Sequence, residues 1–122
     1  MINLVPQPRV NLSRLRDIGW SLWDPIGLLG ASGCFPGKWS DEANQKFADE
    51  YDGYLIFVAS QLRQGEPPGQ AVNYLVQVET DYIGLRESPT TRKRAEAVVA
   101  AILADDNIWT WPDEQGRFTQ ND

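Results

Sequence analysis

Apolar side chains recur every three or four residues in four successive segments, and this spacing constrains the fold most strongly. It is typical of helices that bury one face. The clearest segment follows Ser40, where the apolar side chains form a stripe about 100° wide on a helical wheel. Ser40 is predicted to cap this helix, and Gly65 with the two prolines after it to end it. The stripe consists of Phe47, Tyr51, Tyr54, Leu55, Val58 and Leu62.

The other three helices are predicted from the same spacing and from their flanking residues. The first covers residues 12–23 and ends before Pro25, because proline disfavours helical backbone in the residue before it. The third covers residues 68–83. The fourth starts with Ser88 as its cap and Pro89 in the first helical position. The predicted inward faces of the first and fourth helices are Leu12, Leu15, Ile18, Gly19, Leu22 and Trp23, and Ala95, Val98, Val99, Ile102 and Leu103.

These segments predict an all-α fold, a small bundle of four main helices. The 122 residues are enough for one domain with a core that needs neither disulfides nor metal. Within a single domain, 1–122, we expect an N-terminal extension at 1–11, a helical core at 12–105 and an aromatic, acidic tail at 106–122.

The tail is predicted to form a short β-hairpin or to be ordered in another way. Ile108, Trp109, Thr110 and Trp111 show the alternation of a strand. Residues 117–119 are its expected hairpin partner. A hairpin alone is marginally stable, so the tail is expected to pack on the helices or to stay loose.

Composition excludes several classes of function. Eleven basic and 17 acidic residues give a net charge of -6, which argues against nucleic-acid binding and against binding to anionic membranes. The absence of histidine removes Ser-His-Asp and Cys-His nucleophiles and most zinc sites. Pro6 and Pro8 interrupt any signal pattern, the single cysteine Cys34 fits a reducing compartment, and we expect a cytoplasmic protein with no membrane span and no cofactor.

The negative charge is concentrated in the middle of the chain and in the tail. Residues 41–87 contain three basic and nine acidic side chains, and residues 105–122 contain one and five. Such a charge distribution attracts a basic partner and speeds its arrival. The alternative interpretation is a solvated acidic face that keeps the protein soluble.

Two groups of carboxylates are candidates for chemistry. Asp49 and Asp52 are three residues apart, as metal-binding carboxylates on a helix are. Glu79 and Asp81 have the wrong spacing to complete such a site, and no phosphate-binding motif accompanies them. The alternative is that these are surface carboxylates paired with Arg14, Arg16 or Arg63. Glu79 lies at the edge of an apolar stripe, so we predict a buried arginine as its partner.

The pentapeptide Trp23-Asp24-Pro25-Ile26-Gly27 is the most distinctive motif. The Asp24 carboxylate is predicted to accept backbone N–H groups and close the turn. Trp20 and Trp23 are expected in the core. Trp109 and Trp111 fit the core or a binding hot spot equally well.

The motif, followed by D-E-Y-D-x-Y at residues 49–54 and by Glu79-x-x-x-x-Gly84-Leu85, resembles a group of small bacterial helical proteins with a W-D-P-I-G sequence. The resemblance covers about residues 15–85. Such proteins often occur near polymorphic-toxin and contact-dependent inhibition loci, so the resemblance implies an immunity protein. It supplies no catalytic residue.

We therefore expect a protein-binding module, and no enzyme, that neutralises a basic toxin domain through an acidic surface. The predicted binding residues are Asp49, Glu50, Asp52 and Tyr54, with Trp109 and Trp111 in reserve. Asp24 is expected to meet Asp49, Asp52 and Tyr54 in a polar junction between the first two helices. One alternative is a metal-dependent phosphohydrolase using Asp49 and Asp52, and another is a homodimer formed through Ile56 and the tail.

Overall fold

A computed structural model describes residues 8–29, 37–115 and 117–118. Cys34, Pro6 and Thr119 lie outside these ranges, as does most of the predicted N-terminal extension. The described residues form an all-α bundle with a small antiparallel strand pair, which confirms the predicted fold class. Its elements are β1 (Arg9–Val10), α1 (Leu12–Leu22), a 3₁₀ helix (Glu42–Phe47), α2 (Asp52–Arg63), α3 (Pro68–Gln77), a π-helical turn (Val78–Tyr82), α4 (Thr91–Ala104) and β2 (Trp109–Thr110). No helix in this part of the chain has both the length and the apolar character needed to cross a bilayer.

The helix predicted after Ser40 is divided into two, which corrects the prediction. The 3₁₀ helix is followed by turns, and α2 begins only at Asp52. The Asp52 N–H bonds to the Asp49 carbonyl at 3.1 Å. The Ala48 carbonyl, which a continuous α-helix would pair with Asp52, instead accepts the Trp20 indole N–H at 3.2 Å. Packing of a buried tryptophan thus overrides the helical periodicity at this point.

The fourth helix also begins later than predicted, at Thr91. The Ser88 N–H donates to the Thr91 hydroxyl at 2.9 Å, and the Thr91 N–H bonds to the Ser88 carbonyl at 3.2 Å. Ser88 and Pro89 therefore lie in a turn ahead of α4 and do not cap it. The reason is that Thr91 is fully buried and bonds to a carboxylate of the preceding helical segment.

The tail strand has a different partner from the one predicted. β2 pairs antiparallel with β1, and the Asn11 N–H continues the contact by bonding to the Ile108 carbonyl at 2.7 Å. The segment at 117–119 was predicted to pair instead. Its described part forms a turn, in which the Asp113 N–H bonds to the Arg117 carbonyl at 2.7 Å. The pairing of β1 with β2 fastens the tail to the start of α1.

The core lies where the helices meet, and two side chains predicted to face inward do not. Leu22 is 38% exposed, because Trp20, at 6%, takes the inward position on α1. Leu103 is 53% exposed, since Ile102 takes the inward position at the end of α4. The expected burial of Trp20 and Trp23 is confirmed. The fully buried side chains include Leu15, Tyr51, Leu55, Leu75, Val58, Val78 and Val98.

Gly19 permits the close approach of α1 to α2. A Cβ atom at this position would lie 2.5 Å from Leu55 Cδ1 and 3.3 Å from Cδ2, and Leu55 is fully buried. In a helix, Gly→Ala alone gains roughly 1 kcal/mol, whereas overpacking a core costs about 1–3 kcal/mol. We expect Gly19→Ala to lower the free energy of unfolding by about 1 kcal/mol, measured by urea denaturation.

Gly53→Ala is the matched control, since, apart from its chain neighbours and its own helix backbone, no atom of the described residues lies within 4 Å of the position its Cβ would take. It should be neutral or stabilising. Equal stabilisation by the two substitutions would show that α1 and α2 are not in tight contact at Gly19.

Candidate functional site

Of the four predicted binding residues at positions 49, 50, 52 and 54, two are exposed and two are half-buried. Asp49 and Glu50 are exposed in the turn before α2. Asp52 is half-buried and receives two bonds from Arg16, Nε to Oδ1 at 3.0 Å and Nη2 to Oδ2 at 2.6 Å. For Asp52 this confirms the alternative of a carboxylate paired with arginine. Tyr54 is half-buried and packs edge-on against Trp23, with ring centroids 6.2 Å apart.

The structure does not place Asp49 and Asp52 on one helix, which was the reason for considering them as a metal-binding pair. Asp49 precedes α2 and Asp52 is its first residue, so they are not neighbours on one helix. Among the described residues, no group of three or more histidine, cysteine or acidic side chains is arranged to hold a metal ion. Glu79, the candidate for the second pair, already has protein partners on both oxygens.

The W-D-P-I-G motif forms a closed turn that is attached to the core through Tyr51. The Asp24 carboxylate accepts the N–H groups of Leu28 and Leu29, at 3.0 and 2.9 Å, as the sequence predicted for a turn-closing carboxylate. It also accepts the Tyr51 hydroxyl at 2.8 Å, and the Tyr51 oxygen accepts the Ile26 N–H at 3.1 Å. Burial, and then the bond to Asp24, hold the pKa of Tyr51 well above its usual range, so this hydroxyl stays a donor at neutral pH.

The predicted polar junction therefore has different members. Asp24 meets Tyr51 and not Asp49, Asp52 or Tyr54, because Asp52 turns to Arg16 and Tyr54 packs on an aromatic ring. The backbone of Asp24 has a positive φ of 32°, and Gly27, the last residue of the motif, has a φ of 74°. Both values lie in the left-handed region, which aspartate and glycine tolerate better than most residues.

Glu79 is buried and has an arginine partner, as the sequence predicted, although that partner, Arg94, is itself only half-buried. The Glu79 side chain is only 3% exposed. Arg94 donates to both carboxylate oxygens, at 2.8 and 2.9 Å, and the Thr91 hydroxyl donates at 3.0 Å. Arg94 also reaches the Trp23 carbonyl at 3.5 Å. The cluster joins the π-helical turn, α4 and the end of α1, and its polar atoms face one another rather than a cavity.

A groove of about 300 Å³ lies between the C-terminal ends of α2 and α4 and the tail. Trp109 is half-buried in it, and the Arg63 guanidinium lies over the Trp109 ring, 4.9 Å from the centroid. Trp111 is 56% exposed and Leu103 is 53% exposed. We call this feature the tail groove, and the lining residues that matter below are Leu62, Arg63, Leu103, Asp106, Trp109 and Trp111.

A wider cleft of about 660 Å³ lies between α1 and the segment at residues 37–39. The two carboxylates on its lining are already engaged. Asp17 accepts the Trp39 indole N–H at 2.8 Å, and Asp24 holds its own turn. We assign no ligand to this cleft.

Most carboxylates between residues 41 and 87 are exposed and outside any ion pair of the described chain. Asp52 and Glu79 are the two that are paired, each with an arginine of another segment. Elsewhere, the Arg14 guanidinium binds Asp105 at 2.7 Å and holds the pKa of that carboxyl below its usual range. The exposed carboxylates of this stretch are Asp41, Glu42, Asp49, Glu50, Asp81 and Glu87.

Sequence reasoning missed three features of these sites. The helical spacing places Tyr51 in the apolar stripe and does not indicate that its hydroxyl donates to Asp24. Leu103 was placed in the core because the helical wheel does not show where a neighbouring element stops. Asp106 was counted only as part of an acidic tail. Arg63 and Trp109 are 46 residues apart along the chain, so no local pattern indicates that they share a groove.

We compared the chain with protein-family models, with curated proteins and with solved structures, and none of the three comparisons finds a match.

Proposed function

We propose that this chain is a protein-binding module that neutralises a basic partner, in the manner of an immunity protein that blocks a basic toxin domain. One observation carries the proposal: most carboxylates of residues 41–87 are exposed and form no ion pair within the described ranges, so they give this part of the chain an acidic surface. The proposal includes a cytoplasmic location, where such a toxin domain would act.

The physical reason for an inhibitory role is that it requires affinity and no chemistry. A surface of one sign steers an oppositely charged partner and raises the association rate. Buried aromatic side chains then supply most of the binding energy at such an interface. The W-D-P-I-G motif resembles a group of small bacterial helical proteins that often occur near toxin loci, and this resemblance implies the same function.

Among the predicted binding residues, Asp49 and Glu50 are proposed to touch the partner directly, because they are exposed. Asp52 and Tyr54 are proposed to support them from behind. The Asp52–Arg16 pair fixes the start of α2, and the packing of Tyr54 on Trp23 holds the same first turn against α1. Trp109 and Trp111 remain in reserve as aromatic anchors.

The test is capture of partners from the native host on the tagged full chain, at low and at high salt. We expect one basic protein to bind in stoichiometric amounts at low salt and to be released as salt rises, since exposed charges are screened. The purified partner should then bind the purified chain in calorimetry. The double variant Asp49→Asn/Glu50→Gln should weaken that binding by about 30-fold, since each of the two lost charge contacts contributes about 1 kcal/mol.

The matched control is Asp113→Asn/Glu114→Gln, which removes the same charge from exposed positions in the tail. It should leave the affinity within about a factor of three, because only long-range attraction is lost. An equal effect of both double variants would contradict a specific role for Asp49 and Glu50. Capture of no basic protein at low salt would contradict the proposed function.

A further inference from the structure

The tail groove combines exposed apolar side chains with charged ones. Leu103 and Trp111 are both more than half exposed and both line it, so two large apolar side chains share this groove. Exposed apolar side chains brought together beside polar groups are typical of an interaction site. A large aromatic side chain at the centre of such a patch is typical of an interface core.

Charged side chains of both signs line the groove. Arg63, at the end of α2, has its guanidinium on Trp109 and forms no ion pair within the described chain. Asp105 and Asp106, which follow the end of α4, also line it. Asp105 is neutralised by Arg14, whereas Asp106 is exposed and has no ion-pair partner in the described ranges. The groove therefore presents one uncompensated cation and one uncompensated anion.

We propose that the occupant of the tail groove is a second copy of this chain, related by a two-fold axis. In a two-fold interface, a contact between one residue of the first protomer and a different residue of the second occurs twice, with the roles of the protomers exchanged. Arg63 of each protomer then faces Asp106 of the other, and the Leu103 and Trp111 side chains are buried between them. A chain of net charge -6 repels its own copies, so self-association requires a face with balanced charge. This groove provides one.

The first experiment measures the mass of the full chain by sedimentation over a series of micromolar concentrations. We expect the mass to rise from 13.7 kDa towards twice that value. Trp111→Ser should weaken dimerisation by about 30-fold or more, the effect of truncating a central aromatic anchor. Phe57→Ser is the control, because Phe57 is similarly exposed, at 44%, and does not line the tail groove. It should leave the dimer unchanged.

A charge-reversal cycle tests the pairing itself. Arg63→Glu alone and Asp106→Arg alone should each weaken the dimer by roughly tenfold, because the two-fold axis doubles the effect of each pair. The double variant should restore most of the affinity. Both positions are exposed, so circular dichroism is expected to show a native fold in each variant.

A wild-type chain that is monomeric at every concentration would overturn the inference, as would a double variant that dimerises no better than the single variants. The inference uses Trp111, which the proposed function holds only in reserve, and it uses neither Asp49 nor Glu50, on which the proposed function depends. Its failure therefore leaves the proposed function standing, and loss of partner capture leaves the dimer standing.

Discussion

Replacing Arg94 with methionine should lower the free energy of unfolding by about 3–5 kcal/mol, because it leaves a buried carboxylate without its counter-charge. Glu79 is 3% exposed and takes two of its three hydrogen bonds from Arg94. Methionine keeps an unbranched apolar stem like that of arginine and lacks the guanidinium, so the substitution mainly removes the charge and its two hydrogen bonds to Glu79. Urea denaturation at neutral pH measures the change.

The double variant Glu79→Gln/Arg94→Met separates charge from packing. It contains no buried charge at this position and should recover more than half of the loss. Arg14→Met is the comparison, since Arg14 is 44% exposed in its pair with Asp105 and should show a much smaller effect. If Arg94→Met were no more destabilising than Arg14→Met, the cluster would not hold α3 and α4 together.

Asp24→Ala should lower the free energy of unfolding by about 2–4 kcal/mol, because it leaves buried or half-buried donors without an acceptor. The Tyr51 hydroxyl and the N–H groups of Leu28 and Leu29 would all lose their partner. Alanine also tolerates the positive φ of this position poorly. Asp24→Asn keeps an acceptor oxygen and the tolerance for this backbone, so it should cost clearly less.

Tyr51→Phe tests the same network by its pH dependence. The pKa of Tyr51 is raised in the folded protein, chiefly by burial. Its contribution to stability is therefore complete below the ordinary tyrosine pKa of about 10 and is lost as pH rises above it. The stability of the phenylalanine variant should fall less steeply above about pH 10 than that of the wild type. Parallel curves would show that the hydroxyl is not buried against Asp24.

Helices could be predicted from the sequence where burial of a single apolar face determines the local structure. α3 and the centre of α2 follow the apolar spacing, since their stripes pack directly on the core. The prediction failed at helix ends. The Ala48 carbonyl accepts the indole N–H of Trp20, which lies 28 residues earlier, and the Thr91 hydroxyl donates to Glu79. Such contacts between distant parts of the chain leave no trace in local spacing.

The same limit applies to the candidate sites. The need of Glu79 for a buried partner followed from its place at the edge of an apolar stripe, whereas the identity of that partner required the fold. The tail strand was recognised from its alternation, but its pairing with Arg9 and Val10 joins the two ends of the described chain. The tail groove depends on that pairing, so no local sequence pattern predicts it.

The proposal that this chain neutralises a basic partner is tested most directly by titrating the purified chain into the captured basic protein while the activity or toxicity of that protein is followed. The account predicts complete loss of activity near one equivalent at low salt, and its return when salt or the Asp49→Asn/Glu50→Gln double variant weakens binding. Full activity of the partner in the presence of excess bound chain would contradict it.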